Sequence, residues 1–382
     1  MKQFIGIFGR MFKVFMITTV LILALAISAM AANTKQLHYT ITDLSVLGIS
    51  SASGINNLGQ ITGSDNNGHA FLYTPGKGIK DLGTLPGDTA SSGAAINDLG
   101  QVTGTSWIPL GDYWNEAFHA FIYSERTGMY NIGVPLDCSY YDSVWTYSIN
   151  IFGQVTGDCF LGFNPSDYRA FLYSPRTGME NPETLDYSDS WGYGINDFGQ
   201  VTGCHFDVAN NNNSPSGNYH AFIYGAKSGF KDLGTLGDPD LDMSWSEGYA
   251  INNLGEVTGH STFATPSCSG DPCYYNHAFL YRPETGMKDL GALPGSNNST
   301  GNSINDLGQV VGYSSYINGD DSPDSFHAFL YSSGKMTDLN TLIDPSLGWT
   351  LSYAYGINDF GQIIGSGVIN GQTHAFLMTP VY

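Results

Sequence analysis

The carboxylates come first among the residues that could do chemistry. Asp238-Pro239-Asp240-Leu241-Asp242 sets oxygen ligands at alternate positions, as a loop wrapping calcium does. The match to an EF-hand is partial, with Met243 in place of the turn glycine and Tyr249 at the final ligand position. Calcium is the one cofactor these residues suggest. Asp320, Asp321 and Asp324 make a second, weaker acidic loop. Asp142, Asp189 and Glu247 are carboxylates from which a glycosidase pair could be drawn, although their spacing selects no pair. Histidine recurs as His-Ala-Phe at His69, His119, His220, His277, His327 and His374, with Arg169 heading a seventh copy. A metal ring is excluded, because ligands must converge and arginine cannot ligate. An anchor from a strand to a neighbouring turn suits both residue types. No nucleophile elbow, His-Glu-x-x-His or phosphate-binding loop is present.

The elements that position these residues are repeats. The His/Arg-Ala-Phe spacings are 50, 50, 51, 57, 50 and 47 residues. In step runs Ile-Asn-x-x-Gly-[Gln/Glu], with asparagines at 56, 97, 150, 196, 252, 305 and 358, and an Asp-Leu-Gly element as at Asp81, Asp232 and Asp289. Each unit reads as four short strands: A ends in Ile-Asn, a tight glycine turn leads to B, C is His-Ala-Phe-Leu-Tyr, and D carries Asp-Leu-Gly. Four antiparallel strands per repeat of this length make a propeller blade. The chain starts with a lone strand D, Tyr39–Leu44, and finishes with a lone strand C, His374–Met378. Pairing them closes the ring and removes an edge. The expected fold is all-β, a seven-bladed propeller over residues 32–382. An open β-solenoid is the alternative. Alternation is expected to turn the Ile before each Asn towards the neighbouring blade, with the small residue before it at the crowded axis.

The phased motifs Ile-Asn-Asp-Leu-Gly-Gln-Val-Thr-Gly, His-Ala-Phe and Lys-Asp-Leu-Gly-Thr-Leu resemble the HAF-repeat family of extracellular bacterial proteins over residues 38–379. The resemblance implies export and brings no catalytic residues. A weaker similarity is to RCC1-type propeller repeats, whose nuclear, chromatin-binding role the acidity of this chain opposes.

Length variation falls on one side. Between the glycine closing strand B and the His or Arg of strand C lie 5, 14, 11, 16, 17, 14 and 8 residues, whereas the A–B turn is constant. Loops on a rigid scaffold are where recognition sits. Trp145, Trp191, Trp245 and Trp349 precede strand A, and Trp107 and Trp114 follow strand B. These six tryptophans are the candidate binding residues for stacking on a sugar or packing against a protein. Wedging between blades is the competing role for the four that precede strand A.

The N-terminus reads as an export signal: Lys2, Arg10 and Lys13, an apolar run, then Ala29-Met30-Ala31, with cleavage expected after Ala31. An uncleaved anchor is the alternative. Losing three basic and no acidic residues takes the net charge from −20 to −23. Such a chain repels nucleic acid and anionic membranes. Export permits disulfides, with Cys268–Cys273 and Cys138–Cys159 as the expected pairs and Cys204 left odd. The function expected is a secreted scaffold binding a glycan or an extracellular protein. A carbohydrate-active enzyme or a structural envelope protein is the alternative.

Overall fold

The first hairpin of every repeat is set by its asparagine. In blade 2 the Asn97 N–H donates to the Gln101 carbonyl, and the Gly100 N–H donates back to the Asn97 carbonyl. Gly100 reaches this turn in the left-handed region, at φ 72°. The computed structural model describes residues 37–108, 117–135, 138, 143–162, 168–180, 189–207, 218–237, 245–268, 271–317 and 323–381, with the side chains of 207, 218, 263–268, 271–273, 316, 317, 323 and 324 left aside.

The described residues form seven four-stranded antiparallel sheets, a seven-bladed propeller. Strands A are Ile49–Ile55, Ala90–Ile96, Val144–Ile149, Ser190–Ile195, Ser246–Ile251, Asn298–Ile304 and Thr350–Ile357, in blades 1 to 7. Strands B are Ile61–Asp65, Val102–Trp107, Val155–Phe160, Val201–Asp207, Val257–Cys268, Val310–Ile317 and Ile363–Ile369. In the seventh sheet the outer strand is His38–Asp43, paired with Gln372–Val381. The chain's two ends therefore share one blade, as the lone strands predict.

The latch reproduces contacts made inside other blades. His69 Nδ1 lies 3.0 Å from Asp81 Oδ2, and the Gly83 N–H donates to the other carboxylate oxygen. His220–Asp232, His277–Asp289 and His327–Asp338 repeat the pair. At the closure His374 takes Asp43 from the far end of the chain, at 2.8 Å. Blade 2 carries Asn131 at this position, and His119 turns instead to Asp88, at 2.9 Å. The recurrent histidine thus anchors strand C to the turn after strand D.

Blades are joined by apolar and polar contacts. All seven His/Arg-Ala-Phe phenylalanines are fully buried. The clusters they join span neighbours: Ala70 and Leu72 of blade 1 pack with Ile96, Val102, Phe121 and Tyr123 of blade 2. Lys80, Lys231 and Lys288 lie over the rings of Tyr123, Tyr281 and Tyr331 in the following blade. A serine five residues before the Ile of Ile-Asn adds another link. Ser91 accepts from the Ala70 N–H and donates to the Gly83 carbonyl, as Ser246 does for Ala221 and Gly234 and Ser299 for Ala278 and Gly291.

At the axis the asparagines form a closed circuit. Asn56 Nδ2 donates to the Asn97 carbonyl, Asn97 to Asn150, Asn150 to Asn196, Asn196 to Asn252, Asn252 to Asn305, Asn305 to Asn358 and Asn358 to Asn56, all at 2.8–3.0 Å. Each side-chain oxygen accepts two N–H groups of its own turn, as Asn252 does from Leu254 and Glu256. Asn252→Ala is expected to cost on the order of 3 kcal/mol, because it strands several buried backbone groups at once. Urea unfolding followed by tryptophan fluorescence reads that loss.

The His–Asp pairs make stability fall in acid. Burial alone would raise the carboxyls of Asp81, Asp232 and Asp289, but their histidine and glycine hydrogen bonds outweigh it and hold all three below the usual range. A carboxylate depressed by folding stabilises above its unfolded pKa of about 4, and that contribution disappears as pH falls through the folded value. Acid unfolding monitored by circular dichroism should begin below about pH 4. Asp232→Asn should flatten the slope there while keeping the turn, since the Asn131 amide oxygen accepts the Gly133 N–H in the same way.

Candidate functional site

The chemistry-bearing variation gathers at one repeat position. Each strand B carries a glycine, at 63, 104, 157, 203, 259, 312 and 365, where an added Cβ would collide with a strand A carbonyl oxygen. Strand A bulges opposite it in every blade. The residue after this glycine is Ser64, Thr105, Asp158, Cys204, His260, Tyr313 or Ser366. Across the pair sit Ser51, Ser92, Trp145, Trp191, Glu247, Thr300 and Tyr353. Serine and threonine dominate blades 1 and 2, whereas blades 3 to 5 carry a carboxylic acid, a thiol and an imidazole in succession.

These three groups back onto a chamber at the axis. It measures about 230 Å³ and is lined by Tyr147, Tyr193, Tyr249, Tyr355 and Asn302, among others. The bulge departs from the alternation expected for strand A. In blade 4, Tyr193, Gly194 and Ile195 all line the chamber. Gly194 is tightly packed, since a Cβ would lie 3.2 Å from the Ala250 Cα of the next blade. The seven isoleucines also pack between blades and form a collar, below which a second cavity of about 190 Å³ opens among the A–B turns.

The polar groups behind the chamber are held mostly uncharged. Asp158 is 1% exposed, and burial pushes its carboxyl up to about 8 against the pull of a Tyr147 hydrogen bond. Its Oδ1 has no hydrogen-bond partner among the described residues. Burial, reinforced by the charge of Glu247, raises the Cys204 thiol well above its ordinary value. Burial also lowers the His260 imidazole, against the opposing pull of Glu247. The tyrosine hydroxyls of Tyr193 and Tyr249 are pushed up by burial and by neighbouring acids. Glu247 accepts from the Tyr249 hydroxyl at 2.8 Å. Sequence reasoning singled out Glu247 and the odd Cys204 but not Asp158 or His260. Their shared place after a repeat glycine was the available signal.

The tryptophans take different places. Trp145 and Trp191 belong to a half-buried aromatic arc over blades 2 to 4. Its rings run Trp107, Phe118, Trp145, Tyr168, Trp191 and Tyr219, with centroids 5.0–5.9 Å apart. Trp245 is 41% exposed and donates to Asn276 Oδ1. Trp349 packs against the core of the closing blade, 6.2 Å from both His374 and Phe376. Trp114, the candidate calcium ligands Asp238, Asp240 and Asp242, Asp142, the Asp320–Asp321 loop and the N-terminal export segment lie outside the described residues, as do the side chains of Asp324, Cys268 and Cys273. Cys138 and Cys159 form a disulfide with a Cα–Cα distance of 5.9 Å, fastening the segment before strand A of blade 3 to strand B of that blade.

Residues 238–376 match a family described as protein of unknown function (DUF3466). No curated protein matches the chain in sequence. Among solved structures it is similar to virginiamycin B lyase from Staphylococcus aureus, at 10% identity and a TM-score of 0.50, over 91% of this chain and 100% of that one. It is also similar to the β-propeller domain of the Trilobed protease from Pyrococcus furiosus, at 8% identity and a TM-score of 0.45, over 74% of this chain and 79% of that one. Trypanosoma rangeli sialidase follows at 9% identity and 0.40, over 89% and 59%. At these identities the likeness is one of fold, which hosts both binding and enzymatic roles.

Cys204 is buried, and its thiol is held protonated. It should resist a thiol reagent such as dithionitrobenzoate in the native protein and react within minutes in denaturant. Fast native labelling at Cys204, located by peptide mapping, would show that the site opens.

Proposed function

We propose that this protein is an exported binding scaffold that recognises a glycan on its variable face, with the Trp145–Tyr168–Trp191 arc as the platform. The arc carries the reading. Half-buried rings, continuous over blades 3 and 4 and rooted in rigid strands, offer apolar surface at little entropic cost, as sugar rings require. The acidic chain, at net charge −20, disfavours polyanions and suits a neutral ligand. The likeness of the repeats to HAF-repeat proteins supports an extracellular setting, and so does the Cys138–Cys159 disulfide. Calcium remains a proposal resting on the spacing of Asp238, Asp240 and Asp242.

A catalytic reading draws on one observation. Burial raises the Asp158 carboxyl to about 8, and the charges of Glu247 and Asp158 both raise the Tyr193 hydroxyl. Glycoside hydrolysis uses a raised acid together with an ionised carboxylate.

A glycan array probed with the full chain tests the main reading. Trp145→Ala and Trp191→Ala should each weaken binding by about tenfold, the scale of one lost stacking contact. Trp349→Ala should lower the melting temperature instead and leave affinity intact. Unchanged binding in folded Trp145→Ala and Trp191→Ala proteins would remove the arc from recognition, and polysaccharide turnover abolished by Asp158→Asn would favour the enzyme.

A further inference from the structure

We propose that the tyrosine-lined chamber at the axis binds a small organic cation bearing a methylated ammonium group. This site is separate from the glycan arc and goes beyond that reading.

The chamber's shape comes from three consecutive blades placing tyrosine at one repeat position. Tyr147 and Tyr193 have ring centroids 5.3 Å apart, and Tyr193 and Tyr249 are 5.2 Å apart, with interplanar angles of 64° and 58°. Steeply inclined neighbouring rings form a curved wall in place of a filled stack. Tyr355 of blade 7 contributes a fourth ring to the same cavity. Although they lie on innermost strands, Tyr147 and Tyr355 are 37% and 39% exposed. Both residues line the chamber.

The charge is placed to match. Glu247 carries one carboxylate behind the wall, accepting from Tyr249 and forming no ion pair among the described residues. Asp158, hydrogen-bonded to Tyr147 at the other end of the tyrosine wall, supplies an acceptor there and not a second charge. Among the described residues, no lysine or arginine lines the chamber. An acceptor on a tyrosine hydroxyl makes its ring more electron-rich, which strengthens attraction of a cation to the ring face. The isoleucine collar lies between this chamber and the cavity below it. A hydrated metal ion gains little from tyrosine rings, whereas a methylated ammonium sheds its hydration readily and is attracted to them. At about 230 Å³ the cavity takes a head group of this kind but not an oligosaccharide.

Isothermal titration of the full chain tests the inference, with choline, tetramethylammonium and 3,3-dimethylbutan-1-ol, the uncharged isostere of choline. Both cations should bind saturably at one site per chain, and the alcohol about tenfold more weakly or not at all. Tyr193→Ala and Glu247→Gln should each weaken choline by about tenfold, Tyr193→Phe should retain it because the ring remains, and Trp145→Ala should leave it unchanged. If Tyr193→Ala fails to fold, Glu247→Gln and Tyr193→Phe decide the matter. Absence of saturable binding by either cation at millimolar concentration overturns the inference. So does an alcohol that binds as tightly as choline, or a folded Glu247→Gln protein with unaltered affinity. Glycan binding lost in Trp145→Ala while choline binding persists separates the two sites.

Discussion

Everything in this propeller depends on seven asparagine side chains that each reach the backbone of the next blade. Each amide is saturated: its oxygen holds the turn of its own hairpin and its nitrogen holds the neighbour's carbonyl. A buried primary amide with all partners in place resists truncation, since a shorter side chain abandons several backbone groups together. The circuit closes from Asn358 to Asn56, over a separation of 302 residues. Outside it runs a second, incomplete circuit, in which the Asn57 N–H bonds Asp98, Asp306 bonds Asp359 and Asp359 bonds Asn57. Ile151 interrupts that circuit because it offers no acceptor to the Asp98 N–H.

Rigidity at the turn end leaves the opposite end free to vary. Antiparallel strands in the order A to D send their A–B and C–D links to one side and the remaining links to the other. Contacts between the first and third of these positions agree: Gly59 lies beside Pro75 and Gly153 beside Pro175. The long, uneven connections then collect on one face. Chemistry collects just beneath it, where strand B is pinned by its glycine and the next residue is held at a fixed depth.

The tryptophans illustrate why residue type alone does not assign a role. Trp145, Trp191 and Trp349 are all expected before strand A, yet the first two lie within it and join an aromatic arc, while the third precedes it and supports the closing blade. Blade 7 borrows its outer strand from the N-terminus, and Trp349 packs against the seam where His374 meets Asp43.

Much of this was legible in the sequence. Phased His-Ala-Phe and Ile-Asn motifs, with unmatched strands at both ends, are enough to specify seven antiparallel sheets and a latched ring, because short-range turn chemistry and strand pairing recur in every copy. The role of the recurrent histidine as an anchor followed from Arg169 standing in its place. The partners did not follow: His119 selecting Asp88 depends on loop geometry around Asn131. The chamber was also hidden. Tyr147, Tyr193, Tyr249 and Tyr355 are about 50 residues apart in sequence at the closest, and alternation fails at the bulge that turns them inward with their neighbours. Local pattern determines which strands form; only ring closure brings equivalent positions of distant repeats around one axis, and that convergence decides which side chains share a cavity.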